Sequence, residues 1–268
     1  MTNSVKNAAR SSRTSSPVRF LARGGFAVNG AVNAVIGIIA IGIAVSGGGS
    51  ADQSGAFGAI ASNPGGVIIL WVVAVALAAL GLWYLVGSFF LHADDTKKRA
   101  VKIAIDAGKG IGYLALAITA LGFAIGSGGD SSQQSTSFTA SLLANPGGVI
   151  LVVVLGLAIC AIGIYMGHKG VTRGFEEDIR MPAGTTGKAV RVLGTAGYVA
   201  RGVALFIVGV LFAVAALTSD PEKATGLDGA LKALAGLPFG QVLLVIVGLG
   251  FIAYGAYSAA RARFAKLD

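Results

Sequence analysis

The sequence predicts an all-α polytopic membrane protein: six transmembrane helices arranged as three parallel two-helix repeats, with short interfacial helices on the extracytoplasmic side. Three observations carry that prediction. Hydrophobic residues make up 54% of the chain and charged residues 12%, with a mean hydropathy of +0.77, where a soluble domain is about 25% charged. Six apolar stretches reach the ~20 residues that a spanning helix needs. A proline-glycine turn precedes every second stretch: Asn63-Pro64-Gly65-Gly66, Asn145-Pro146-Gly147-Gly148 and the divergent Leu237-Pro238-Phe239-Gly240.

The spans cover residues 26–46, 66–91, 110–127, 147–167, 198–217 and 239–260. None alternates polar with apolar residues as a barrel strand would. The first follows a basic, Ser-rich segment and ends in Ala44-Val45-Ser46, which suggests a signal peptide. Its apolar run is longer than the ~7 to 15 residues of a signal core, and it has counterparts in the third and fifth spans. The resulting organisation is a mobile basic tail (1–19), repeat 1 (20–92), a connector (93–107), repeat 2 (108–168), a second connector (169–192), repeat 3 (193–264) and a tail (265–268).

Between the two helices of each repeat lies a Gly/Ser-rich loop and a short segment with apolar residues at helical spacing, such as Phe57, Ile60 and Ala61, or Leu227, Leu231 and Leu234. Such a segment reads as a brief helix on the membrane surface. Asn63 and Asn145 are expected to cap the span that follows, with Pro64 and Pro146 in its first turn, where a missing N–H costs nothing. Pro238 marks the same structural turn, but Leu237 there requires another cap.

Anchoring the repeats on the proline aligns them residue by residue. Seventeen positions on stand Gly81, Gly163 and Gly255, and two further on Trp83, Tyr165 and Tyr257. In the odd spans Gly30, Gly110 and Gly202 correspond, followed seven residues later by Gly37, Ala117 and Gly209. A small stripe repeated in this way implies a packing seam. Gly122 with Gly126, and Gly163 with Gly167, add further four-residue glycine spacings.

Of 21 Lys and Arg, only Lys223 and Lys232 fall between the helices of a repeat, leaving 19 in the remaining segments. Because Lys and Arg stay on the cytoplasmic side, both termini are expected in the cytoplasm of a bacterium whose plasma membrane holds the protein. Scattered over four segments with little aromatic interleaving, the basic residues do not form a nucleic-acid surface; the expected partners are membrane lipids, a membrane protein complex or a second copy of the chain.

The turns, together with Gly197-Tyr198-Val199-Ala200-Arg201-Gly202 and its weaker counterpart Gly25-Phe26-Ala27-Val28-Asn29-Gly30, resemble the actinobacterial membrane family called domain of unknown function 1206. The resemblance covers residues 18–264 and implies a two-helix unit repeated three times. The second repeat departs from the motif, reading Ile105-Asp106-Ala107-Gly108-Lys109-Gly110.

One constellation carries binding chemistry. Asn29, Lys109 and Arg201 share a repeat position immediately before the aligned glycines. Around a common axis they would form a polar ring able to hold an anion or a lipid headgroup, since helix N-termini and cationic donors both favour anions. The plainer reading is that Lys109 and Arg201 anchor the interface with their long stems.

Catalytic patterns are absent. His92 and His168 read as solvated loop residues without a second metal ligand at zinc spacing. Gly187-Lys188 lacks the first glycine and the Ser or Thr of a phosphate loop, and Gly108, Gly110 and Gly112 follow no strand. Glu176, Glu177 and Asp178 read as exposed connector carboxylates, and Cys160 as a small core residue. No ionisable residue lies near the centre of a span; the intramembrane polar groups are Asn33 and Thr119, which disfavours ion-coupled transport. The expectation is a non-enzymatic protein without cofactor or metal, packing with itself, lipid or a membrane complex as an accessory or structural component. The alternative is an uncoupled transporter or pore for a small solute or lipid along a pseudo-threefold axis.

Overall fold

The computed structural model describes residues 16–89 and 96–266. Among the described residues nine α-helices run in the order α1 (Ser16–Ser46), α2 (Gln53–Ala61), α3 (Gly66–Phe89), α4 (Thr96–Ala124), α5 (Ser131–Leu143), α6 (Gly148–Val171), α7 (Gly184–Thr218), α8 (Gly226–Ala235) and α9 (Gly240–Phe264). Among the described residues there is no strand, only an isolated bridge between Ile179 and Ala265. Among the described residues six helices are long and apolar enough to cross a membrane: α1, α3, α4, α6, α7 and α9. Their outward faces stay apolar although exposed, with Ile68, Val72 and Val75 on α3, Ile150, Val154 and Leu157 on α6, and Ile246 and Leu249 on α9. Only lipid makes such a surface inexpensive, so this is a multi-pass membrane protein.

The helices extend beyond the apolar runs. α4 begins at Thr96 and α7 at Gly184, so much of both expected connectors is helical, and residues 16–19 of the expected tail belong to α1. Hydropathy marks where a helix meets lipid, whereas backbone hydrogen bonding continues through charged turns that project past it. Residues 1–15 of that tail, and His92, lie outside the described residues.

The most intimate contacts cross the repeat boundaries. α3 packs on α4, α6 on α7, and α9 on α1, each pair antiparallel. A Cβ placed on Gly30 would lie 2.7 Å from the Gly255 carbonyl oxygen, and one on Gly255 would lie 2.6 Å from that of Gly30. Gly163 and Gly202 repeat the reciprocal contact at 2.8 and 2.7 Å, and Gly81 and Gly110 at 2.9 Å each. One heptad along, Gly156 faces Gly209 and Gly37 faces Gly248 in the same way. In each case the hydrogen that replaces Cβ points at a carbonyl across the seam, a Cα–H···O arrangement worth ~0.5–1 kcal/mol per contact. Gly163–Gly167 thus belongs to an intramolecular face against α7. Gly122–Gly126 forms no seam: Gly126 lies beyond the end of α4 with φ 79°, where it stops the helix.

The spatial order is α4, α3, α1, α9, α7, α6, each packed on the next. α4 and α6, the two helices of repeat 2, share no extended contact, so the arc of six helices is open between them. At one end the short helices α2, α5 and α8 close the bundle. Phe57 of α2 and Leu231 and Leu234 of α8 are buried in a core with Ile36, Leu70, Leu77 and Leu244. Their apolar faces therefore seal protein rather than resting only on lipid.

The turns into α3, α6 and α9 differ from the capping expectation. Gly66 N–H donates to the Asn63 carbonyl at 2.9 Å, Gly148 to Asn145 at 3.0 Å and Gly240 to Leu237 at 2.7 Å. With Gly147 at φ 79°, ψ −1°, this is a type II turn, in which proline takes the second position and a left-handed residue the third. Proline therefore precedes the helix instead of occupying its first turn. The Asn63 side-chain amide donates to the Ala59 carbonyl at 2.7 Å and that of Asn145 to Ser141 at 2.6 Å. Both asparagines cap the end of the preceding short helix, because an amide N–H matches the carbonyls left unpaired there. Leu237 does without a side-chain cap, and the turn around Pro238 holds through its backbone alone. The fourth position is glycine every time because a Cβ on Gly66, Gly148 or Gly240 would collide with the carbonyl of Ile60, Leu142 or Leu234.

Gly202→Ala and Gly255→Ala should each destabilise the purified protein by about 1–3 kcal/mol through overpacking against backbone. Gly42→Ala, on a face where nothing lies within 4 Å, should be neutral or stabilising. Thermal unfolding in detergent distinguishes the seam from the open face.

Candidate functional site

A cavity of about 700 Å³ lies in the opening between α4 and α6, running from the end of the bundle opposite the short helices as far as the start of α2. That volume is ordinary for a ligand site between helices. Its sides are apolar, with Ile105 and Leu116 from α4, Ile162 and Met166 from α6, and Leu205 from α7; Gln53 reaches it from α2. Its head is basic: Lys109, Lys169, Arg201 and Arg261 all face it, with Asp178 as the counter-charge.

Tyrosines hold these cations. The Lys109 ammonium sits 5.3 Å from the centre of the Tyr84 ring, which stacks on Tyr113 with centroids 5.7 Å apart. Arg261 donates through Nη2 to the Tyr84 hydroxyl at 3.0 Å while its guanidinium lies 4.4 Å from the Phe26 ring. Arg201 covers Tyr254 at 4.4 Å, and Lys169 stands 5.8 Å from the Tyr198 ring. Aromatic faces attract cations electrostatically and replace part of the water lost on burial. The tyrosines brace one another: Tyr198 meets Tyr254 and Tyr257 edge-on at 5.4 and 5.6 Å, and Phe175 stacks on Tyr198 at 5.4 Å.

Phe175 comes from a 3-10 helix, Gly174–Asp178, that crosses this end of the bundle. It fits because residue 194 is glycine; a Cβ there would strike the Phe175 ring. Backbone bonds tie the segment to the end of α9, from Arg180 N–H to the Phe264 carbonyl at 2.8 Å and from Lys266 N–H to that of Asp178 at 3.2 Å. Asp178 is thereby delivered to Lys169 at 2.7 Å and Arg261 at 3.8 Å. Burial by itself raises the Asp178 pKa, but Arg261 and Lys169 outweigh it and hold the carboxyl below its usual 3.8. Asp178 is therefore a partly buried ion-pair partner and not the exposed carboxylate expected. Glu176 is half-buried as well, gripped by Arg191 at 2.7 Å, whose hydrogen bond lowers its pKa, and of the three carboxylates only Glu177 is exposed.

Asn29, Lys109 and Arg201 all line this one cavity, though not as a symmetric ring. Asn29 is buried and engaged with Asn33, whose amide donates to the Asn29 carbonyl at 2.7 Å and to its side-chain oxygen at 3.2 Å. Lys109 pairs with Asp106 at 3.0 Å. Arg201 has its ring partner, and no carboxylate pairs with it among the described residues. Lys169 and Arg261 escaped the sequence reading, yet the same proline count finds them: they stand twenty-three residues beyond Pro146 and Pro238, where repeat 1 has Gly87. Repeats 2 and 3 thus give two cations each, and repeat 1 gives Asn and Gly. His168 is exposed in the last turns of α6 rather than in a loop. Thr119 spends its hydroxyl on the Ala115 carbonyl of its own helix, and Cys160 is half-buried with its thiol toward the Phe206 carbonyl. Among the described residues no cluster of His, Cys, Asp or Glu is placed to hold a metal ion.

Fold and site define a class: a multi-pass membrane protein of three two-helix repeats with a basic cavity open at its side. The family model described as Domain of Unknown Function (DUF1206) matches residues 24–90, 107–173 and 196–265, and the chain belongs to that family. It is also 27% identical over 251 residues, 90% of this chain and 89% of the other, to the uncharacterised protein YxxB of Bacillus subtilis (strain 168). No solved structure matches it.

The depressed pKa of Asp178 fixes the sign of its linkage. Its contribution to stability is present above the usual aspartate value of 3.8 and is lost as pH falls through the lower folded value. Asp178→Asn should cost about 1–3 kcal/mol at neutral pH by leaving Lys169 and Arg261 unpaired. It should also flatten the acid limb of a stability profile measured from pH 2.5 to 7.

Proposed function

We propose that this protein binds a membrane amphiphile with an anionic headgroup. The ligand enters sideways between α4 and α6, its head meets the cations at the basic end, and its chain lies along Leu116, Ile162 and Leu205. The observation that carries this reading is the gap within repeat 2: four cations at its head, an apolar run behind them, and no helix closing it toward lipid. The role is that of a lipid-binding accessory protein without catalysis, since no nucleophile with an adjacent base lines the cavity. An axial pore fits less well, because the short-helix half is filled by fully buried Ile36, Phe57, Leu70, Leu231 and Leu244.

The proposed setting is the bacterial plasma membrane with the basic end in the cytoplasm, supported by the 19 of 21 Lys and Arg outside the short-helix loops. That orientation places the site beside the anionic lipid of the inner leaflet.

Lys109→Gln and Arg201→Gln should each weaken retention of anionic lipid on the order of tenfold, consistent with the ~1.5–3 kcal/mol of a charged hydrogen bond. Both should leave zwitterionic lipid unaffected. Native mass spectrometry of the purified protein with defined lipids reads this directly; equal retention of anionic lipid by wild type and the double variant would overturn the reading.

A further inference from the structure

We infer that the headgroup this site selects is a phosphomonoester, carried by a lipid and bound in its doubly charged form. The inference rests on the amphiphile reading of the same cavity and goes further by naming the ligand's charge. Four cations, Lys109, Lys169, Arg201 and Arg261, face the site. Among the described residues two carboxylates lie within ion-pair distance of them: Asp106 on Lys109 and Asp178 on Lys169 and Arg261. Two positive charges are left over. Among the described residues Arg201 has only an aromatic partner, and the buried Nε–H of Arg261 has no acceptor.

Unmatched charge beside an apolar wall is costly, since the surroundings screen it poorly. A ligand that brings two negative charges neutralises the site. A phosphodiester brings one and leaves an unpaired cation; a zwitterionic head brings no net charge. A phosphomonoester carries about −1.5 to −2 near pH 7, with a second pKa of about 6, and offers three acceptor oxygens. Those oxygens suit the divergent donors here: two guanidinium groups that bind phosphate as forks and two ammonium groups that act as point charges. The apolar run behind the cations favours a lipid over free phosphate as the bearer.

Preference for the monoester should therefore depend on pH through the ligand. The titratable groups facing the site are Lys109, Asp106 and Tyr113 from α4, Tyr165 and Lys169 from α6, Asp178 from the 3-10 helix, Tyr198 and Arg201 from α7, Tyr254 and Arg261 from α9, and Tyr84 from α3. Among the described residues no histidine faces the site: His168 is exposed and does not line the cavity. Side chains of these types ordinarily titrate below about 4.5 or above about 10.

The test uses full-length protein in zwitterionic nanodiscs, titrated with phosphatidic acid, phosphatidylglycerol or phosphatidylcholine of identical chains, and separately with inorganic phosphate. Phosphatidic acid should bind about tenfold more tightly than phosphatidylglycerol at pH 7.5, the energetic equivalent of ~1.4 kcal/mol. The ratio should fall toward one at pH 5, where the monoester loses its second charge. Equal binding of the two anionic lipids at pH 7.5 would overturn the monoester inference and leave the amphiphile reading standing. No preference for either over phosphatidylcholine would overturn both. Inorganic phosphate binding as tightly as phosphatidic acid would overturn the assignment to a lipid. In the Lys109→Gln, Arg201→Gln double variant the tenfold ratio should vanish; its persistence would show that the monoester preference arises elsewhere.

Discussion

Backbone-to-backbone contact at the glycine seams is the constraint on which the rest of this structure depends. In lipid, burying a leucine between two helices gains little over leaving it in the acyl chains, so helices associate through close packing and polar contacts. Reciprocal pairs such as Gly30 with Gly255 and Gly163 with Gly202 bring carbonyl oxygens against Cα hydrogens, a distance that no side chain permits. Because the glycine seams join helices of different repeats and bring α9 back onto α1, each repeat is locked to the others, while only repeats 1 and 3 also pack their own two helices together. That leaves repeat 2 free to open: α4 is committed to α3 and α6 to α7, and nothing draws the two together.

The opening is where the fold concentrates charge. Four cations beside an apolar wall would be untenable without compensation, and this chain supplies it in two forms. Tyr84, Tyr198 and Tyr254 present ring faces and hydroxyls, which temper the cations without neutralising them. Asp178 neutralises in part, and its position depends on a short segment wedged by Phe175 and stitched to the end of α9. The same arrangement that stabilises the cations leaves a positive excess on the cavity wall.

Much of this was legible in the sequence. The six spans, the proline turns and the aligned glycines follow from composition and spacing, since lipid demands long apolar helices and close packing demands small residues at fixed intervals. The position shared by Asn29, Lys109 and Arg201 was legible as well, because a repeat carries its chemistry at repeated places. Other features were not. The asparagines of the turns were expected to look forward to the next helix, and they look back; both choices satisfy helix ends, and only the path of the chain distinguishes them. Lys169 and Arg261 were not legible as site residues, because a lone cation near a helix end carries no mark of the cavity it faces until the helices are packed.

What the sequence determined by itself, then, was the periodic part of the protein: how many helices, where each turn falls, and which faces are small. Those properties are local, set by hydropathy, proline geometry and the absence of a Cβ. Tertiary structure decided which small face meets which, that the arc opens within repeat 2, and that Asp178 leaves the solvent to join Lys169 and Arg261. Each of these joins residues far apart in the chain, and three near-identical repeats offer several pairings that no single repeat can rank.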